Sequence, residues 1–160
     1  METVRLDERF DRYEELLALI LAAFAHMDGR IDPPTTARAL TLESLRRKAR
    51  DEVALTVVSG GDLLGCVFLK PEADCLFLGK LAVAPAAQRR GIGRRLLAAA
   101  EETARSLSLP ALRLQARIEL TENHMTFAAW GFVETGRSAH PGFTRPTSIE
   151  MQKLLQENNR

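Results

Sequence analysis

Residues Leu81 to Glu102 read LAVAPAAQRRGIGRRLLAAAEE. The stretch opens as an apolar strand, breaks at Pro85 and ends as an alanine- and leucine-rich helix. At the junction stand Gly91 and Gly93, surrounded by Arg89, Arg90, Arg94 and Arg95. The first turn of a helix has unpaired N–H groups and a partial positive charge, so bare backbone and cations placed there suit an anion. Two common phosphate cradles do not fit. The phosphate loop of NTPases ends in Gly-Lys-Ser/Thr, whereas Gly93 is followed by Arg94 and Arg95. The dinucleotide fingerprint needs a third glycine where Leu96 stands, and it belongs to a first βαβ unit, whereas this turn lies mid-chain.

CLFLGKLAV, before the turn, is apolar on both faces and reads as a central strand. Its Gly79 is unusual inside a strand and suggests a bulge. Upstream, VALTVVS and LLGCVFLK flank a Gly-Gly turn and read as a hairpin. Before them come a short strand TVRL, a helix capped by Asp7 and carrying Tyr13, Leu16, Leu17, Ile20, Phe24 and Met27, and a weak helix LESLRRKAR capped by Thr41. Gly29 stops the first helix, and RIDPPTT is a rigid polar loop. Downstream, the helix from Gly91 presents Ile92, Leu96, Leu97, Ala100, Ala104 and Leu107 on one face. Then follow the strand ALRLQARI, a short helix TENHMTFAAW capped by Thr121, and the strands GFVETGRS and TSIEMQKLL, with the loop AHPGFTRP between them. This order predicts a mixed α/β sheet of about seven strands with four helices, in one domain spanning residues 1–160.

Composition narrows the function. Hydrophobic residues make up 46% of the 160, enough for a core, and the formal net charge of +1 argues against bulk nucleic-acid binding. The arginines near Gly91 are therefore a local feature. No apolar run is long enough for a membrane span, and METVRLDERF lacks the apolar centre of a signal peptide. Cys66 and Cys75 have no metal-like spacing, so no disulfide framework and no metal site is implied. A reduced, cytoplasmic setting is the default expectation.

The hexapeptide Gln88-Arg89-Arg90-Gly91-Ile92-Gly93 resembles the Gln/Arg-x-x-Gly-x-Gly/Ala motif of the GNAT superfamily of N-acetyltransferases. Its context is similar too: the preceding strand LGKLAV, the turn at Pro85, the following strand LRLQARI, and the Gly131-Phe132 pair that opens the next strand. The likeness extends from about Val4 to Leu155 and is strongest between Leu76 and Phe132. It implies a mostly antiparallel GNAT-like sheet whose central strands splay apart. It also implies that the turn holds the pyrophosphate of acetyl-CoA on the N–H groups around Gln88 to Arg94, with the arginines at the rim. Glycines at 91 and 93 would spare the phosphates a Cβ clash. The amides of the pantetheine arm would pair with Leu81 and Val83, and the Val83 N–H would polarise the thioester carbonyl. Asn123 either bonds the same arm or is an ordinary helix-start residue. Phe127 and Trp130 either line the channel or belong to the core.

One position departs from the pattern. Many members carry a tyrosine four residues before the Gly-Phe pair, as acid for the leaving thiolate, and here that position is Phe127. His140 is an alternative donor, or else a surface loop histidine. Glu119 and Glu122 are candidate bases for the acceptor amine, or else solvated charges at a helix start. The loops holding Arg30, Asp32 and Arg145 would wall the acceptor pocket and select a polar substrate. The implied activity is direct transfer of an acetyl group from acetyl-CoA to an amine of a small molecule or peptide, with no metal. Oligomeric state stays open, a homodimer included. The rivals are a non-catalytic acyl-CoA-binding sensor on the same fold, and a nucleotide-phosphate binder, for which no base-recognition element is present.

Overall fold

The structure is a computed structural model that describes residues 1–156. In chain order its elements are β1 (Glu2–Arg5), α1 (Tyr13–Phe24), α2 (Leu42–Asp51), β2 (Val53–Ser59), β3 (Asp62–Pro71), β4 (Leu76–Val83), α3 (Ile92–Ser106), β5 (Ala111–Arg117), α4 (Thr121–Ala129), β6 (Val133–Ser138) and β7 (Ser148–Leu154). The strands form one sheet in the order β1-β2-β3-β4-β5-β7-β6. All neighbours are antiparallel except β4 and β5. Among the described residues no helix is long and apolar enough to cross a membrane.

Strand alternation divides the core into two layers. Cys66 and Phe68 of β3 turn toward α1, where Leu16, Leu19 and Ile20 are buried. Val67 and Leu69 turn to the opposite face and meet Ile92, Leu96 and Ala100 of α3. Each fully buried leucine or isoleucine there contributes roughly 1.5–3 kcal/mol.

β4 carries the feature that shapes the molecule's centre. Its register against β3 runs Phe68↔Gly79 but Cys66↔Ala82, so β4 has one extra residue between those pairs. That insertion reverses the parity of the strand. Leu76 and Leu78 face the α3 layer, whereas Ala82 faces the α1 layer. The bulge is where the sequence places it, but the residue in the left-handed conformation is Lys80, at φ 50°, and not Gly79. β4 then separates from β5. They pair only at Leu76↔Leu112 and Phe77↔Arg113. Arg113 holds that closed end, with its guanidinium 2.9 Å from Glu72 and 2.7 Å from Glu150. Beyond it the two strands diverge and leave a gap in mid-sheet.

Three expected details differ. Asp7 accepts a bond from the Arg9 N–H at 2.8 Å and closes a turn, and α1 begins only at Tyr13 with Arg12 as its cap residue. Thr121 is the first residue of α4, not its cap, since the cap position is Leu120. Leu107 ends α3 and is 45% exposed, because the helix stops before that position returns to the sheet. Thr41 does cap α2, in a reciprocal pair with Ser44.

Candidate functional site

The start of α3 lies beside the opened edge of β4. Its cap residue is Gly91, at φ 79°, and no side chain caps the helix. The first turn holds no acidic residue. The leading N–H groups of α3 therefore lack the partners a helix end normally acquires, and the local potential is positive. Arg89 also adopts a left-handed conformation, at φ 65°. A Cβ placed on Gly91 would meet nothing within 4 Å, which leaves its outer side open to a ligand. Gly93 is different: its Cβ would come within 2.9 Å of the Trp130 ring. The small residue at 93 is thus set by helix–helix packing, a contact that sequence reading did not anticipate.

A cavity of about 810 Å3 runs from this turn along β4. Gln88, Arg89, Gly91, Ile92, Gly93 and Arg94 line one end, and Leu81 and Val83 line its length. Arg90 is exposed and does not line it, and Arg95 donates to the Met1 carbonyl at 2.7 Å. The Ala84 N–H donates to the Leu64 carbonyl, on the β3 side, at 2.9 Å. Successive N–H groups of a strand point to opposite edges, so the Val83 N–H faces the gap.

A second cavity, of about 370 Å3, continues from the first. Phe24, Met27, Leu81, Asn123 and Phe127 line both. Phe127 packs edge-on against Trp130 and Phe132, so it serves core and channel wall at once. The second cavity is lined further by Lys48, Lys80, Arg117 and His140. His140 Nδ1 shares a hydrogen bond with Thr147 Oγ1. Burial, and then the Arg117 charge, hold its imidazolium below the usual histidine range, so the ring is neutral at pH 7.

Of the two glutamates, Glu119 lines neither cavity. Glu119 Oε2 accepts the Asp32 N–H at 3.1 Å, while its Oε1 is buried with no partner among the described residues. Glu122 lines the first cavity and pairs with Arg30. Its own backbone N–H and the Arg30 guanidinium lower its pKa, which makes it a weaker base than a free carboxylate. Arg145 pairs with Asp32 at 3.0 Å. Arg30 is therefore held by Glu122 and Arg145 by Asp32, and Arg30, Asp32 and Arg145 line neither cavity. Lys48, Lys80 and Arg117 were missed in sequence. The available signal was Lys80 itself, a lone cation inside an otherwise apolar strand.

Neither cysteine lines either of these two cavities. Cys66 is buried, which pushes its thiol up to about 12 and leaves it inert as a nucleophile. Among the described residues no cluster of His, Cys, Asp or Glu is arranged to hold a metal ion.

Solved structures share the fold. The PaiA N-acetyltransferase of Thermoplasma acidophilum, in complex with coenzyme A, superposes with a TM-score of 0.81 at 17% identity, over 97% of this chain and 100% of that one. An aminoglycoside 6'-N-acetyltransferase complexed with coenzyme A gives 0.73 at 15% identity, over 96% and 97%. A GNAT family acetyltransferase from Elizabethkingia anophelis with acetyl-CoA bound gives 0.68 at 17% identity, over 96% and 97%. Among curated proteins none matches the chain in sequence. The model of the acetyltransferase (GNAT) family matches residues 14–132. With that match spanning α1 to the Gly-Phe pair, the chain belongs to the GNAT acetyltransferase family.

Proposed function

We propose that the protein transfers an acetyl group from acetyl-CoA to an amine by direct attack. The observation that carries this reading is one continuous path. It leads from the uncapped start of α3, along the opened edge of β4, into a second cavity. The coenzyme A bound in the PaiA structure and the acetyl-CoA bound in the Elizabethkingia protein support the choice of cofactor. Residues 88–94 would hold the pyrophosphate. Leu81 and Val83 would pair with the amides of the pantetheine arm, and Asn123, which lines both cavities, would bond the same arm. The Val83 N–H would then meet the thioester oxygen as negative charge develops there.

The amine nitrogen attacks the thioester carbon, the C–S bond breaks, and coenzyme A leaves as thiolate. With Phe127 in place of the usual tyrosine no side-chain acid meets that thiolate. A thiol of pKa near 8.5 can leave without one. The amine's proton has three candidate acceptors. Of these, neutral His140 lines the acceptor cavity, Glu119 carries an unpartnered oxygen, and Glu122 is occupied by Arg30. A neutral ring fits the acceptor's part better than the donor's part the sequence suggested. Arg30, Asp32 and Arg145 would shape the entrance through which the amine arrives.

Acetyl-CoA should raise the melting temperature, since a ligand at about 100 times its Kd adds roughly 2.7 kcal/mol. Gly91→Asp puts a side chain and a negative charge into the open side of the turn and should abolish the shift. A variant that binds acetyl-CoA normally would remove the phosphate site from this turn. A wild-type protein that shifts but releases no thiol with any amine would favour the sensor reading, which the Phe127 position supports.

A further inference from the structure

The second cavity has an unusual charge balance for a site that receives an amine. No carboxylate among the described residues lines it, whereas Lys48, Lys80 and Arg117 all do. Lys48 is compensated by Glu52, 2.8 Å away. The other two have no ion-pair partner among the described residues. Lys80 Nζ donates only to Thr36 Oγ1, at 2.9 Å. Arg117 donates to the Pro33 and Pro34 carbonyls, at 2.7 and 3.0 Å. These bonds aim the two cations without neutralising them. Glu119 and Asp32 act on Arg117 through space, but Asp32 is paired with Arg145 and Glu119 is turned to the Asp32 N–H. His140 adds no negative charge. Both cations are half-buried; Glu119 and Asp32 offset Arg117, and Glu52 offsets Lys80, only through space, and a half-buried pair of like charges with no carboxylate in contact calls for an anion. Burial lowers the pKa of both, and in Lys80 the neighbouring Lys48 and Arg117 charges lower it further.

We propose that the acceptor is an amine that also bears an anionic group, a carboxylate or a phosphate, seated between Lys80 and Arg117 with its amine directed back toward Val83. The inference rests on the acetyl-transfer reading and narrows its substrate class. It argues against polyamines and other polycations, whose charge this cavity would repel. A volume of about 370 Å3 suits a molecule of amino-acid size.

The test is thiol release from acetyl-CoA with matched pairs: each α-amino acid against its own α-amide, phosphoethanolamine against ethanolamine, and spermidine. The amide is the better nucleophile at neutral pH, because a carboxylate raises the pKa of its neighbouring amine. A preference for the acid therefore reports binding and not reactivity. We expect at least one anionic member to exceed its neutral partner at least 10-fold in kcat/KM. Which pair shows it identifies the anion. Lys80→Met and Arg117→Gln should each bring that ratio toward one by raising KM, with the acetyl-CoA melting shift intact. Preference for the amides, ethanolamine or spermidine would overturn the proposal, as would a ratio that survives both substitutions. So would a panel without turnover in a protein that still binds acetyl-CoA. Absence of the acetyl-CoA melting shift would instead remove the cofactor reading, and the acceptor class with it.

Discussion

Gly91 and Gly93 lie two positions apart and are glycine for different physical reasons. Gly91 needs its positive φ, and its missing side chain faces open space. Gly93 needs room for the Trp130 ring, 2.9 Å from where a Cβ would stand. Gly93→Ala should therefore destabilise the fold by about 1–3 kcal/mol, as overpacking does. Trp130→Phe in the same chain should recover part of that loss, so a urea double-mutant cycle should show coupling well above zero. Additive effects would mean that the helix start adjusts and the two residues do not constrain each other. The motif was legible as a motif, but its second glycine was not legible as a packing residue, because Trp130 is distant in sequence and only folding brings it near.

The candidate proton acceptors also separate at this scale. If His140 takes the amine's proton, activity should fall at acid pH as the ring protonates, along a limb below the ordinary histidine pKa, the direction in which burial moves it. His140→Gln should lower kcat about 100-fold and flatten that limb. Glu119→Gln would do this instead if the unpartnered Oε1 is the acceptor, and Glu122→Gln should change kcat least. A pH profile of kcat for the three variants decides among them. Three unchanged profiles would mean that the amine arrives neutral and that positioning alone drives the reaction.

At the scale of elements, β4 organises the site. One inserted residue reverses the strand's parity, turns Leu81 and Val83 toward the α3 layer, and precedes the parting from β5. The bulge was legible from Gly79, but the strained residue was not. Lysine at φ 50° costs about 1–2 kcal/mol relative to glycine. Its burial as a cation adds to that cost. Lys80→Gly should thus stabilise the fold by about 1 kcal/mol, measured by urea unfolding, while lowering activity. The pH dependence has a definite sign. A lysine whose folded pKa is lowered disfavours the folded state at pH values below that pKa, and the penalty fades as pH rises toward 10.5. The gain from Lys80→Gly should therefore shrink in alkali, to the part set by φ alone. An unchanged or reduced stability at neutral pH would show that Lys80 gains more from its contacts than it loses in conformation.

Across the whole molecule, the element order, the central position of β4 and the apolar face of α3 all followed from periodicity and turn residues, which are local signals. The second cavity did not. Its cations come from α2, β4 and β5, and no local pattern records that they meet. The same holds for the polar contacts of the 30–32 loop, where Arg30 meets Glu122 and Asp32 meets Glu119 and Arg145 across the fold. In the proposed complex acetyl-CoA lies along the gap between β4 and β5 with its phosphates on the start of α3. Backbone amide chemical shifts in an acetyl-CoA titration test it most directly. The Val83 amide and those of residues 89–94 should move together, at one apparent affinity, while the amides of β1 and β6 stay in place. Movement confined to other elements, or a Val83 amide that ignores saturating acetyl-CoA, would mean that the cofactor does not lie in this gap.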